Sequence, residues 1–557
     1  MLKEIPKRFY YFLAAILVLN LVQSYFTELI YDEAYYWYYS QNMAWGYFDH
    51  PPMVALLIKI SSLFFNGELG VRFMGCLIST ASIVVLWLVI DHPKKNTFIP
   101  HYFVLVFSMT LLNAYGFFTL PDTPLLFFTS CFLLAYKKFI EKPLLGLSIV
   151  LGIIMACLMY SKYHAVLVIV FVLLSNLQLL KNRYAWYAVG IALLCYVPHF
   201  YWLYENDFVS INYHLYERPN DAYNFEKYTL GFFVNLIAIF GLTFPFIYHA
   251  LYRTKSTDRL TKALLFLTYG VLLFFFISSF NRRVQTQWII IICIPIIVLV
   301  FQYMLNNKNS MKWIYRLGLA NAVIILYLRI GLVHQPLLFN IFYETHGNKE
   351  WVNTVKEEAG DTPVVFENSY RNAPMYAFYS GGTSFSLNNL QYRKNQYSID
   401  RSEEAVRNKK VLYISKYAKD GPFTFTKVDG TSYVGNYVEN FNSYRKLRCV
   451  IDEDELDGKI GEELELKVYN PYALSIPLNE LKFGIAYLNA YKKVQEILPL
   501  VITPKEKDTK VLQPKDSTYF TMVRPNSKME QPSYFRIVIS ENNLYFGLNG
   551  KPIPLTE

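Results

Sequence analysis

Long apolar blocks separated by short polar segments occupy the chain from its N-terminus to about residue 335. A run of roughly 17–25 apolar residues is long enough to cross the hydrocarbon core of a bilayer as a helix. We identify about eleven such runs. They lie near 9–27, 69–90, 99–118, 123–140, 144–160, 163–180, 185–203, 229–251, 260–280, 287–305 and 313–333. The stretch 52–66 is apolar too, but Pro51, Pro52 and Lys59 favour a helix in the membrane interface.

From about residue 345 onward the pattern is mixed, as in a water-soluble domain. Residues 348–420 alternate helix-like runs such as Lys349–Ala359 with strand-like runs such as Pro363–Glu367. From about residue 445, alternating apolar positions predict strands such as Leu464–Tyr469, which is typical of a small β-sandwich. The pattern therefore predicts an α-helical polytopic membrane domain at 1–340, a soluble α/β domain at 341–428 and a β-rich domain at 429–557.

The composition supports a membrane protein. Hydrophobic residues make up 54% of the chain and charged residues only 17%, whereas a soluble protein has about 25% charged residues. The first apolar run follows a basic start but lacks a small-residue cleavage site, so we expect a first membrane helix that is retained. The net charge of +10 does not indicate nucleic-acid binding, because many basic residues flank the apolar runs.

Alternate connections between the runs differ in charge. One set is basic and contains Lys3, Lys7, Arg8, Lys94, Lys95, Lys137, Lys138, Lys142, Lys181, Arg183, Arg253, Lys255, Arg259, Lys308 and Lys312. The other set includes the stretch from Phe9 to Ile58, which has no Lys or Arg. Basic loops remain in the cytoplasm, so we expect a cytoplasmic N-terminus and a soluble region on the outer side.

The predicted outer connections carry the chemically active side chains. They are Asp32, Glu33, Asp49, His50, Asp122, Lys162, His164, Glu205, Asp207, His214, Arg218, Arg282 and Arg283. Ionisable groups beside a hydrocarbon core are costly unless they are hydrated or paired, so their convergence on one face outlines a site. The adjacent Asp32 and Glu33 have two equally weighted interpretations: a base for an incoming hydroxyl, or solvated acids within an interfacial aromatic belt.

Several of these segments resemble the GT-C fold glycosyltransferases that use lipid-linked sugars, in the bacterial branch related to protein O-mannosyltransferases and the lipid A aminoarabinose transferase. The segments follow one another in order along residues 1–420. They are Asp32–Tyr36, Tyr47–Pro52, Leu120–Pro124, Ser161–Tyr163, Trp202–Arg218 and Val284–Trp288. Two positions depart from the family pattern: His50 stands where lysine is frequent, and Gln287 stands where asparagine is common.

The resemblance implies an inverting transfer of a monosaccharide from a polyprenyl-phosphate carrier to a hydroxyl group at the outer face of a bacterial inner membrane. The acceptor is a glycolipid, a polysaccharide or a protein, and the C-terminal domain is periplasmic. Asp32 matches the family's catalytic aspartate. We assign Asp122 and Glu33 to catalysis as well. The remaining candidates bind substrate: Tyr35, Asp49, His50, Lys162, Tyr163, Arg218, Arg282, Arg283 and Gln287. Among them Lys162, Arg282 and Arg283 suit the departing phosphate.

Structural alternatives stand beside these roles. Asp122 is also suited to cap the helix that follows it, and Lys162 to extend its ammonium group to the interface. Arg282 and Arg283 are equally suited to pairing with outer carboxylates. A divalent cation between Asp32, Asp49 and Asp122 is compatible with oxygen ligands, but the spacing does not require one. We therefore predict no obligatory cofactor or metal.

Two other functions compete with the enzyme. A transporter or flippase for a lipid-linked sugar needs polar groups in a helical bundle, but such groups usually lie at mid-membrane on broken helices or in paired repeats. A membrane anchor for an active soluble domain leaves the acid-rich first loop unexplained. The expected partners of the enzyme are the lipid-linked donor, the acceptor and membrane lipid, with no nucleic acid.

Overall fold

A computed structural model of the chain describes residues 5–217, 221–256, 258–339, 341–451 and 463–555. The chain forms two compact units. Unit 1 comprises Met1–Ser210 and Tyr223–Asn348, and unit 2 comprises Ile211–Ala222 and Lys349–Glu557. The segment 211–222, which the sequence prediction included in the membrane domain, thus belongs with the C-terminal region. Arg218 lies outside the described residues, so its role stays a prediction.

Unit 1 is helical. Its helices are α1 (Lys7–Phe26), α2 (Tyr31–Gln41), α3 (Met53–Ser61), α4 (Gly67–Val89), α5 (Ile99–Phe107), α6 (Thr110–Ala114), α7 (Asp122–Glu141), α8 (Leu145–Ser161), α9 (Val166–Ser175), α10 (Arg183–Glu205), α11 (Val209–Asn212), α12 (Gly231–Phe240), α13 (Phe244–Arg253), α14 (Arg259–Ser278), α15 (Thr286–Ile289), α16 (Cys293–Asn306) and α17 (Lys308–Val333). Short 3₁₀ and π turns join several of them. In the described part of the chain, eight stretches are long and apolar enough to span a membrane. The predicted polytopic fold is confirmed.

The prediction of about eleven spans is higher than this number for two reasons. The helices Leu145–Ser161 and Tyr163–Ser175 are apolar but shorter than the eight. The run 99–118 is broken, because the backbone is extended at Met109 between α5 and α6. The interfacial stretch 52–66 contains α3, as a helix was expected there.

The buried fraction differs between the helices and shows which one lies at the centre of the bundle. Over an 18-residue apolar stretch of Thr286–Asn306, which contains α16, 83% of the residues are buried. The corresponding share in α1 is 22%. A helix that is apolar all round belongs in the interior of a bundle or against lipid, and α16 takes the interior position. A polar cluster lies inside this apolar unit, where Arg329 of α17 donates to Asn20 (2.7 Å) and Asn113 (2.8 Å).

Unit 2 contains two kinds of sheet, together with α18 (Asn348–Ala359) and α19 (Asn372–Ser380). Its strands are β1 (Val364–Glu367), β2 (Ser384–Leu387), β3 (Lys409–Ser415), β4 (Phe423–Thr426), β5 (Ser432–Phe441), β6 (Arg448–Val450), β7 (Glu463–Tyr469), β8 (Ile476–Pro477), β9 (Lys482–Leu488), β10 (Val494–Pro499), β11 (Ile502–Pro504), β12 (Val511–Leu512), β13 (Ser517–Val523), β14 (Tyr534–Ser540) and β15 (Ile553–Pro554). The first sheet has the order β2-β1-β3-β5-β4, with β1 parallel to both neighbours and the β3-β5-β4 part antiparallel. Because β5 is part of this sheet, the α/β part continues to Phe441, beyond the boundary predicted at residue 428.

Eight of the remaining strands form a β-sandwich, and β8 and β12 pair with each other in a separate two-stranded sheet. Two four-stranded sheets have the orders β10-β9-β14-β15 and β11-β13-β7-β6. Residues from both sheets share one buried cluster, which includes Leu466 and Phe520 from one sheet and Ile485 and Ile537 from the other. Alternation of buried and exposed positions, as along β7, is what a strand with one face in a core requires. The C-terminal β-rich region expected from the sequence is confirmed.

Candidate active site

Two adjacent acids occupy the first turn of α2 and differ in their surroundings. Asp32 and Glu33 lie where a helix has unpaired N–H groups, and negative charge is favourable there. Glu33 is completely buried, whereas Asp32 is partly exposed. The Glu33 carboxylate also accepts the backbone N–H of Ile30, at 3.3 Å. The helix start therefore orients one acid inward and leaves the other accessible.

Glu33 forms a buried ion pair with Arg72 of α4. The Nε and Nη2 atoms of Arg72 donate to the two carboxylate oxygens of Glu33, at 2.8 and 2.5 Å, and both side chains are fully buried. The backbone N–H of Thr119 adds a third partner at 2.9 Å. A carboxylate whose oxygens are filled by fixed donors is not placed to accept a substrate proton. We therefore replace the catalytic assignment of Glu33 by a structural one.

Asp122 forms a second buried ion pair, with Lys162. The ammonium group donates to both carboxylate oxygens, at 2.7 and 2.8 Å, and both residues are at most 5% exposed. Asp122 is the first residue of α7, and Lys162 follows the last residue of α8. Lys162 therefore does not extend to the interface, and that alternative is wrong. Pro121 is the N-cap residue of α7, so Asp122 is not the N-cap residue that the alternative required.

Tyr115 connects Asp32 with this pair. Its hydroxyl group hydrogen-bonds Asp122 and interacts electrostatically with Asp32. Tyr343, which follows α17 in the chain, also interacts electrostatically with Asp32. Asp32, Tyr115, Asp122 and Lys162 are thus neighbours in unit 1, and we call them the carboxylate cluster.

Aromatic residues of α2 enclose the next acid along the chain. The hydroxyl group of Tyr39 donates to Asp49 at 2.6 Å, and its ring stacks on Tyr47 with centroids 4.2 Å apart. The ring of Tyr35 lies 4.6 Å from that of Tyr39, and His50 packs edge-to-face against Tyr36 at 5.4 Å. Most of these rings are buried, so they form a packed support for the loop and not a lipid-facing belt.

The turn after Lys162 joins two more segments to this end of the bundle. The Tyr163 hydroxyl lies 3.2 Å from His199 of α10, whose other ring nitrogen contacts the carbonyl oxygen of Trp45 at 2.7 Å. The next residue, His164, has its ring 5.6 Å from that of Trp288. The predicted elements at Tyr163 and Gln287-Trp288 therefore lie next to the segment that holds Lys162.

The predicted phosphate-binding arginines lie on the connection between α14 and α15. Arg283 is exposed and Arg282 is partly exposed. Val284, which follows them, accepts a hydrogen bond from Asn235 at 3.0 Å. The side chain of Gln287 donates to Gln285 at 2.9 Å. These contacts fix the turn, and phosphate binding by Arg282 and Arg283 stays a prediction.

Within the described residues, no three His, Cys, Asp or Glu side chains are grouped so that they could hold an ion. In the carboxylate cluster, Lys162 occupies the oxygens of Asp122. Whether transfer requires a divalent cation stays open to experiment.

Comparison with known proteins identifies the architecture. Residues 49–202 match the family described as dolichyl-phosphate-mannose-protein mannosyltransferase. The structure also matches the crystal structure of ArnT from Cupriavidus metallidurans bound to undecaprenyl phosphate, with a TM-score of 0.55 and 13% identity, over 77% of this chain and 97% of that one. The chain has the GT-C fold. The resemblance stated from the sequence is thereby confirmed.

Part of the chain is also similar in sequence to a lipid A galacturonosyltransferase. The chain is 25% identical over 281 residues to the lipid A galacturonosyltransferase RgtD of Rhizobium johnstonii. The alignment covers 47% of this chain and spans 58% of the relative's length. The family match at 49–202 contains Asp49, Asp122 and Lys162, whereas Asp32 precedes it.

Three residues of the site region in this GT-C protein were not predicted from the sequence. Arg72, Tyr115 and His199 lie within apolar runs and were not considered as candidates. An ionisable residue inside a membrane helix is rare and usually functional or paired. Applied to Arg72 in the run 69–90 and to His199 in the run 185–203, that rule would have identified both residues. Tyr115 has no such signal, because tyrosine is common throughout this chain.

Proposed function

We propose that this chain is an integral membrane glycosyltransferase. It moves a monosaccharide from a polyprenyl-phosphate carrier to a hydroxyl group at the outer face of the membrane. The observation that carries the proposal is the carboxylate cluster, in which the partly exposed Asp32 neighbours the buried Asp122–Lys162 pair. The GT-C fold and the glycosyltransferase relative support the same class of reaction.

Asp32 is the proposed general base. Its carboxylate accepts the proton of the acceptor hydroxyl while that oxygen attacks the anomeric carbon of the sugar. The bond between the anomeric carbon and the phosphate oxygen breaks, and polyprenyl phosphate leaves with the bonding electrons. Attack from the face opposite the leaving group inverts the configuration. A base must lie within hydrogen-bond reach of the hydroxyl proton, and Asp32 is the acid of its pair that substrate can reach.

The Asp122–Lys162 pair positions charge beside that base. Lys162 donates to both carboxylate oxygens of Asp122 and fixes this side chain in a buried position, and Tyr115 donates to the same carboxylate. The ammonium group has three donors, and we propose that it also contacts a phosphate oxygen of the donor. Arg282 and Arg283 complete the neutralisation of the departing phosphate in this proposal, since guanidinium groups suit phosphate oxygens.

The proposed setting is a bacterial inner membrane with a cytoplasmic N-terminus and a periplasmic C-terminal region. The basic connections described above favour this orientation. The relative's name makes a glycolipid acceptor one specific candidate, and polysaccharides and proteins remain the other two classes to test. A panel of acceptors from each class distinguishes them.

The testing experiment uses the purified chain in lipid nanodiscs with a labelled polyprenyl-phosphate sugar and the acceptor panel. We expect labelled product from the wild-type chain and a loss of about 10²–10⁴-fold in Asp32→Asn, the usual contribution of a general base. Glu141→Gln, a charge-removing control at an exposed position at the end of α7, should retain activity within a few-fold.

Two results would contradict the proposal. Unchanged transfer by Asp32→Asn would remove the base assignment. Equal transfer from a nucleotide sugar with no lipid carrier present would remove the donor assignment. Movement of the lipid-linked sugar across the membrane with no glycosylated product would instead favour the transporter.

A further inference from the structure

A cavity of about 370 Å³ lies within unit 2 and is strongly basic. It is lined by residues from the segment 211–217, from the loop after β2, from the β9–β10 hairpin and from β14. Its charged lining residues are Arg393, Lys394, Lys492, Lys493, Arg536 and Glu217. Among the described lining residues, five cations therefore face one carboxylate.

Some of these cations have protein partners. Arg393 donates to the hydroxyl group of Tyr213 at 2.8 Å, and its guanidinium group lies 4.5 Å from the ring centroid of Tyr370. Lys492 donates to the carbonyl oxygen of Tyr216 at 2.7 Å, and Lys493 pairs with Asp221. The lysine contacts join Tyr216 and Asp221 to the β9–β10 hairpin at the cavity.

Arg536 is different, because part of its guanidinium group lacks a partner. It lies on β14, in the middle of a sheet, and its Nε atom is buried without a hydrogen-bond partner in the described part of the chain. Burial lowers the pKa of Arg536 to about 10, while Glu217 opposes that shift. Burial also lowers the pKa of Lys394; Glu217 opposes that shift, and the positive charge of Arg536 adds to it.

Such a group of cations is unfavourable without an anion. Like charges in a partly buried cavity repel, and a buried donor with no acceptor loses the free energy of a hydrogen bond. An oxyanion would accept hydrogen bonds from Arg536 and Lys394 and would reduce the repulsion. Guanidinium groups bind phosphate and carboxylate in a two-pronged geometry. The cavity volume lies within the usual range for small-molecule sites, so it has room for a sugar as well as its charged group.

We propose that this cavity binds a saccharide carrying a phosphate or carboxylate group. The further assignment of that saccharide to the acceptor rests on the proposed function. Under that function the lipid-linked donor is used at the carboxylate cluster of unit 1, and the basic cavity of unit 2 would give the enzyme selectivity for anionic acceptors.

Binding is tested directly, without any transfer reaction. Calorimetry on the full-length chain in detergent would use glucose 1-phosphate, glucuronate and uncharged glucose as probes. We expect the two anions to bind and glucose not to bind. Arg536→Gln should weaken binding about tenfold or more, the effect of losing one charge-assisted hydrogen bond. Lys482→Gln removes an exposed charge on β9 outside the cavity lining and is the matched control.

A variant with the opposite sign strengthens the test. Glu217→Gln removes the carboxylate from the lining and should tighten binding of glucose 1-phosphate. If Arg536→Gln fails to fold, Lys492→Gln at the partly exposed rim replaces it, with weaker binding expected. The proposal would be overturned if the wild-type chain bound neither anion. It would also be overturned if binding were unchanged in all three variants, Arg536→Gln, Lys492→Gln and Glu217→Gln.

Two further measurements distinguish a saccharide ligand from a lipid headgroup. Phosphatidylglycerol vesicles that compete with glucose 1-phosphate in an Arg536-dependent way would assign the cavity to a lipid headgroup and contradict the acceptor assignment. In transfer assays, Arg536→Gln should raise KM for an anionic acceptor and leave KM for the donor unchanged. An unchanged acceptor KM would contradict the acceptor role, whereas a wild-type chain that transfers nothing would contradict only the proposed enzyme.

Discussion

The neighbouring acids Asp32 and Glu33 should respond to neutralisation in opposite ways. Glu33 accepts hydrogen bonds from two atoms of Arg72 and from the backbone N–H groups of Thr119 and Ile30. Glu33→Gln replaces one acceptor oxygen by an NH₂ group, which then faces a donor. It also leaves the fully buried Arg72 without its counter-charge. Asp32→Asn changes a partly exposed side chain at nearly constant shape.

The magnitudes follow from these environments. Breaking a buried ion pair by removing one partner costs about 3–5 kcal/mol, which for a large domain corresponds to a fall of about 6–10 °C in Tm. Neutralising a partly exposed carboxylate in the first turn of a helix changes stability by about 0.3–1 kcal/mol. We therefore expect Glu33→Gln to unfold at a clearly lower temperature, whereas Asp32→Asn unfolds with the wild-type chain but loses transfer.

The assay measures thermal unfolding in one detergent and transfer activity on the same preparations. Arg72→Met provides a second route to the same broken pair and should destabilise the chain at least as much as Glu33→Gln. A Glu33→Gln variant that unfolds like the wild-type chain and yet has no activity would refute the structural assignment of Glu33. It would restore the catalytic role that the sequence suggested.

Three other changes have defined outcomes. Lys162→Met leaves Asp122 buried and unpaired, so it should destabilise the chain by about 3–5 kcal/mol and abolish transfer; a variant as stable as wild type in thermal unfolding would contradict the pairing seen here. Tyr39→Phe removes the 2.6 Å hydrogen bond to the buried Asp49. Denaturant unfolding should show that the free energy of unfolding falls by about 1–3 kcal/mol, and an unchanged value would contradict that contact. Dialysis against EDTA should leave transfer unchanged, because we predict no obligatory metal; activity that disappears and returns with added Mg²⁺ or Mn²⁺ would overturn that expectation.

Much of the fold could be predicted because bilayer thickness sets the length of apolar runs. Each of the predicted runs contains helix. The connections on the predicted outer side contain Asp32, Asp122 and Lys162, and the structure brings these three residues together. The limits of helices were less predictable. The break at Met109 has no proline or glycine beside it to mark it, and the helix Tyr163–Ser175 ends before residue 180, where its apolar run was predicted to end.

Pairing between elements could not be read from the sequence. Glu33 and Arg72 lie 39 residues apart, and Asp122 and Lys162 lie 40 residues apart. Which cation meets which acid depends on how the helices pack, and neither hydropathy nor a local motif contains that information. The same holds for the segment 211–222, whose basic partners lie on the β9–β10 hairpin, and for β5, which pairs with β3 and β4.

The proposed site requires that acids from the start of the chain and cations from a much later turn reach the same membrane surface. Single cysteines at Asp32 and Arg283, introduced one at a time into a chain without its native cysteines, can be labelled in intact cells with a membrane-impermeant maleimide. Modification of both Asp32→Cys and Arg283→Cys from outside the inner membrane is the predicted result. Labelling of the two positions from opposite sides would leave no shared pocket and would contradict the proposed enzyme.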